Sequence, residues 1–97
     1  LQKLGAATKA AWATGAPEDA LANATPYLQA FGHVVLAWVW LSVSLAAAGR
    51  PADEAFAQGK RQACRYFFAY ELPKIGAWLA VVAARTPLCR EMADEWF

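Results

Sequence analysis

Ninety-seven residues suffice for one small domain and no more. Nine basic against eight acidic side chains leave a net charge of +1, which excludes a strong field for steering toward nucleic acid or anionic lipid. Hydrophobic residues make up 59% of the chain, with five Trp and five Phe among them, so a fold this small should leave an apolar patch uncovered, and such patches mark interfaces.

Leu1, Leu4, Ala7, Ala11 and Trp12 recur at helical spacing, with Lys3 and Lys9 off that stripe, and predict a first helix over Leu1–Thr14. Gly15 suits the position after a helix end, where φ turns positive. Pro17, Glu18 and Asp19 then read as a new start, the acids complementing the free N–H groups of a first turn.

Thr25-Pro26 is a further start signal, a cap followed by a proline in the first turn. From Pro26 a helix of about 23 residues should run to Ala48 and stop at Gly49-Arg50-Pro51. This stretch organises the chain. Between Asp19 and Arg50 there is no Asp, Glu, Lys or Arg, and His33 is the one group there that ionises near neutrality. A helix so apolar must be covered on nearly all sides, chiefly by the helix that follows.

That next helix should open at Asp53 or a neighbour and run from Glu54 to Arg85. Phe56, Ala63, Phe67, Tyr70, Trp78 and Val82 form one stripe, and Phe68, Leu72, Ile75 and Leu79 a second beside it, which predicts burial over more than half the circumference. Pro73 removes a backbone donor and crowds the carbonyl of Ala69, so a kink belongs there. Thr86-Pro87 repeats the cap-and-proline signal ahead of a short helix over Leu88–Glu95. No strand alternation and no repeat occurs. The fold class is therefore all-α, an antiparallel hairpin or bundle of two long helices with two or three shorter ones, in a single helical domain over 1–97. The ends of the chain read as cut, which suggests a piece of a larger protein.

No catalytic, cofactor-binding or metal residue is assigned. His33 has no carboxylate at helical spacing to orient it and reads as structural. Lys60, Arg61 and Arg65, followed by Tyr66 and two Phe, read as a solvated face rather than a nucleic-acid site. Glu91, Asp94 and Glu95 with Arg90 lack the loop of a calcium site and read as a polar helix face. The isolated glycines make no phosphate-binding loop, and Glu71 and Glu91 receive no catalytic role. Cys64 and Cys89 are expected as reduced thiols in a cytoplasmic protein. Val34–Ala48 is 15 residues, short of a membrane span, though extension back to Ala30 approaches one. Trp38, Trp40, Phe67, Phe68 and Trp78 are the expected packing residues.

The ordered set Pro26-Tyr27-Leu28, Phe31-Gly32, a Trp-bearing apolar helix, Phe56, Lys60, Ala63, Arg65-Tyr66-Phe67, Leu72-Pro73 and Glu95-Trp96-Phe97 resembles the acetyl-CoA dehydrogenase-like C-terminal domain of bacterial acyl-CoA dehydrogenases. The resemblance implies a parent flavoenzyme in which a glutamate takes the α proton of an acyl-CoA and FAD accepts the hydride, both from domains outside this chain. It implies a non-catalytic role here, packing on the parent's catalytic core or across a subunit interface of a homo-oligomer, with neither nucleic acid nor membrane as partner. Two rival readings stand beside it: a membrane-associated helical segment, and a free-standing oligomerisation module.

Overall fold

The computed structural model describes residues 1–51 and 54–97. The expected opening at Asp53 lies outside the described residues. All regular structure among those described is helical: α1 (Gln2–Ala11), α2 (Pro17–Leu21), α3 (Ala24–Ala48), α4 (Ala55–Tyr66), α5 (Ile75–Ala83) and α6 (Leu88–Glu91). A π-helical turn, Phe67–Glu71, and a 3₁₀ turn, Leu72–Lys74, join α4 to α5, and a second 3₁₀ turn covers Asp94–Trp96. The chain divides into two compact units, one of residues 1–31 with 75–97 and one of residues 32–74.

In the first unit α1 lies along α5 and against α2. Leu4, Ala7 and Ala11 of α1, Ala30 of α3, and Leu79 and Val82 of α5 are its buried apolar residues. Gly15 has φ +72°, the positive value expected of it. Pro17 takes the first position of α2. The helix α3 opens at Ala24, so Thr25 lies inside it and does not cap it. Pro26 falls within the first turn, where its missing N–H leaves no helical bond unmade.

The residue ahead of α3, Asn23, ties the unit together. Its amide donates to the carbonyls of Val81 (3.2 Å) and Thr86 (2.9 Å) at the end of α5. That end is a Schellman turn: Thr86 N–H donates to the Val81 carbonyl and Arg85 N–H to that of Val82. Arg85 holds the left-handed position, φ +53°, usually given to glycine. An arginine there is explained by its guanidinium, which donates to the Ala10 carbonyl of α1 at 2.6 Å. Arg90 pairs with Asp19, and Thr14 donates to the same carboxylate at 2.7 Å.

The second unit is a helical hairpin. Residues 32–48 of α3 run antiparallel to α4 and the π turn, as three contacts in sequence show. Arg61 donates to the Ala47 carbonyl (3.3 Å), Cys64 Sγ lies 3.7 Å from the Trp40 carbonyl, and the His33 ring stacks on Phe67 with centroids 5.8 Å apart. The buried apolar residues are Ala37, Ala47, Ala57, Cys64 and Phe67. Between α3 and α4, at the joined end of the hairpin, Glu54 precedes α4, and its carboxylate takes two hydrogen bonds from Arg50, at 2.8 and 2.6 Å.

The long second helix is interrupted more heavily than a simple kink at Pro73. Leu72 N–H reaches back five residues to the Phe67 carbonyl. The helix thus widens before the proline and tightens over it, which accommodates the donor that Pro73 lacks.

Three packing expectations need correction. The helix α3 is covered along one face, not on nearly all sides. Trp38 points away from the hairpin and is 74% exposed. Phe56 and Tyr70, placed on a buried stripe by their spacing, are exposed as well, because the interrupted helix no longer holds one stripe in line. Phe67 is buried as expected, while Trp40, Phe68 and Trp78 are half-buried.

Candidate functional site

Two features of the second unit bear on function, and the π turn makes the first. It carries Glu71 to within 3.6 Å of His33 Nε2 and lets Lys74 reach the same carboxylate at 2.7 Å. His33 therefore does have a carboxylate partner, supplied by the other arm of the hairpin, and not at helical spacing on its own helix. The Lys74 ammonium, chiefly through its hydrogen bond and then its charge, holds the Glu71 carboxyl below its ordinary range, with His33 adding to the effect. The carboxylate in turn raises the Lys74 ammonium. A carboxylate already matched by a lysine is a poor general base. The cluster fastens the open end of the hairpin, beside the π turn.

The second feature is the outer face of α3. Along an α-helix, residues 35, 38, 42 and 45 fall on one side, and 37, 40, 44 and 47 on the other. The inner side holds Ala37 and Ala47 buried, with Trp40 and Ser44 half-buried. The outer side holds Val35, Trp38, Ser42 and Leu45, with Val39 and Leu41 flanking, all exposed. Trp38 is 74% exposed and Leu45 75%. Helix α3 is 25 residues long and, among the described residues, is the one helix long and apolar enough to cross a membrane by length and composition alone.

The basic cluster is less free than a solvated face would be. Lys60 lies over the Phe56 ring at 5.1 Å and Arg50 over the same ring at 5.5 Å, while Arg61 is held by the Ala47 carbonyl. Of the acidic C-terminal group, Glu91, Asp94 and Glu95 are exposed, and the neighbouring Arg90 is drawn to Asp19. Among the described residues no group of His, Cys, Asp and Glu is placed to hold a metal ion. Neither cysteine is in a disulfide; Cys64 is buried and Cys89 exposed.

The flavin expected of a parent enzyme can be tested against the hollows in this chain. A flavin dinucleotide needs hydrogen-bond donors for its pyrophosphate, as a helix start after a glycine-rich turn provides. An open groove of about 520 Å³ beside α1 and α5 is lined by Lys3, Ala6, Ala10, Gly76, Leu79 and Ala83 among others, with one cation and otherwise apolar side chains. A smaller cavity of about 140 Å³, where Thr8 meets the Tyr27 hydroxyl at 3.0 Å, is below the size of ordinary ligand pockets. Neither of these two hollows offers the donors or the size for the cofactor, and no step through it is assigned to the residues that line them.

The hydrophobic face of α3, and not a reactive cluster, is thus the feature of this fold that asks for a functional account. No curated protein and no solved structure matches the chain. The model of the family described as acetyl-CoA dehydrogenase C-terminal like matches residues 1–93. On that match, which takes in the Trp-bearing helix, the π turn and the Schellman turn alike, the chain belongs to the acetyl-CoA dehydrogenase C-terminal-like family.

Proposed function

We propose that this chain is the non-catalytic helical domain of a cytoplasmic, FAD-dependent acyl-CoA dehydrogenase. Its outer α3 face packs against the catalytic core or across a subunit interface. The parent would remove hydrogens from the α and β carbons of an acyl-CoA thioester, with base and flavin supplied by its other domains. The observation that carries this reading is the pairing of family membership with a charge-free helix whose outer face leaves Trp38 and Leu45 exposed. Scaffold domains need an apolar contact surface, and this one has no other use for Trp38 and Leu45. The test is to purify the whole polypeptide that contains this chain. Flavin absorbance and acyl-CoA-dependent reduction of an electron acceptor are expected. A flavin-free protein inert toward acyl-CoA overturns the reading.

The length and apolarity of α3 also support a membrane-associated segment. Against it stands the inner face, where His33 meets Glu71 and Arg61 reaches the helix backbone; a lipid-embedded helix would hold those ionisable groups at high cost. Flotation of the chain with liposomes in the absence of detergent separates the two readings.

A further inference from the structure

The outer face of α3 shares the spacing of its inner face but, unlike that face, is left uncovered. Val35, Trp38, Ser42 and Leu45 are separated by three, four and three residues, the a and d positions of two successive heptads. In that register Val39 and Leu41 take the flanking e and g positions, so the flanks carry no charge to select an oppositely charged partner or to repel an identical one.

The seam is also complementary to itself when reversed. Two such helices laid antiparallel put Trp38 of each opposite Ser42 of the other and Val35 opposite Leu45, a large side chain over a small one at each side of the two-fold axis. Laid parallel, they would set Trp38 on Trp38 and leave Ser42 beside Ser42 with space between them. A two-fold interface requires this kind of self-complementary patch. With roughly 150 Å² for a fully exposed aliphatic side chain and 250 Å² for Trp, the five apolar residues expose on the order of 500 Å² per copy, or about 1,000 Å² for a pair. That reaches the lower bound of a specific interface, about 1,000 Å².

We infer that the outer face of α3 is a homotypic contact, in which two copies of this chain meet through an antiparallel pairing of Val35, Trp38, Ser42 and Leu45. The inference rests on the reading of this face as a protein interface and chooses its occupant: a second copy.

Sedimentation equilibrium of the 97-residue chain tests it. A reversible dimer with a micromolar dissociation constant is expected, in keeping with the small area. Ser42→Trp sets Trp against Trp and should weaken the dimer about 100-fold, the size of a hot-spot loss. The double exchange Trp38→Ser with Ser42→Trp keeps large over small and should restore association to within about tenfold of the parent chain. Leu88→Ala, an exposed apolar residue on α6, should change nothing. Circular dichroism of every variant should match the parent, since the substituted residues are exposed. A chain monomeric to its solubility limit, a dimer indifferent to Ser42→Trp, or a double exchange that fails to restore it each overturns the inference. If the monomer instead binds the parent's isolated catalytic core and that core protects Trp38 from oxidation, the interface reading survives and the second copy does not. If the chain instead floats with neutral phosphatidylcholine vesicles, both fail.

Discussion

The two units of this chain solve the same problem differently. In the first, α1 and α5 enclose Leu4, Leu79 and Val82, and its polar groups close the loops: Asn23 joins two carbonyls and Arg85 a third. Its exposed large residues stand mostly at ends and turns, such as Leu1, Leu21, Leu88 and Phe97. In the second unit Phe67 is buried, yet larger side chains stand outside. Alanines and a cysteine fill most of the inside, while Trp38 and Leu45 stand outside on one continuous helix face. Small residues make up most of the buried positions of α3 and α4, and Trp38 and Leu45 are left for another surface. Apolar content alone therefore does not measure core; its placement around the helix separates what holds the fold from what the fold presents.

The sharpest way to test that contrast is to remove one large residue from each side of the hairpin. Phe67→Ala should be the most damaging single change, costing about 3–5 kcal/mol in urea unfolding, because Phe67 is 7% exposed and supports both the His33 and Phe68 rings. Trp38→Ala, at a larger residue, should stay within about 0.5 kcal/mol when measured at concentrations where the chain is monomeric. If the two costs are alike, the assignment of Phe67 to the inside and Trp38 to the outside is wrong.

The first unit is tested through its polar ties. Asn23→Ala leaves the carbonyls of Val81 and Thr86 without their side-chain donor, and a loss of about 1–3 kcal/mol is expected, read as a lowered urea midpoint. Asn23→Asp should not rescue it, since a carboxylate cannot donate.

A smaller effect concerns acid. Glu71 is held below its ordinary value by Lys74 and, less strongly, by His33. A depressed carboxyl stabilises the folded state above its unfolded value and loses that contribution as pH falls through the folded one. Melting temperature should therefore decline on acidification below the ordinary glutamate range, and Glu71→Gln should flatten that decline. The group is exposed enough to solvent that the change will be modest. An identical acid profile for both proteins would remove the cluster from the account of how the hairpin is held.

Much of the helix order was legible in the residues. Gly15 and Pro17 punctuate the chain where helices stop or begin, because positive φ and the missing proline donor act locally, while Gly49 follows the end of α3 without a positive φ. Pro73 announced a break for the same reason. The π turn ahead of it was not legible, since the extra residue per turn depends on how Phe67 and Glu71 meet the facing helix. The His33–Glu71 pair was missed likewise: a search at helical spacing sees one helix, and the partner comes from the other arm of the hairpin. Phe56 and Tyr70 were misplaced because a single stripe was drawn through a helix that changes its winding. Trp38 was misplaced because composition foretells an uncovered patch without saying which residues form it, and both faces of α3 carry the same three-four-three spacing.

The most direct measurement is hydroxyl-radical footprinting of the tryptophans, comparing the monomeric chain with the whole protein that contains it. Trp38 should oxidise faster than half-buried Trp40 in the monomer and slower than it in the whole protein, because the outer α3 face is then covered. Unchanged rapid oxidation of Trp38 in the whole protein would contradict the account.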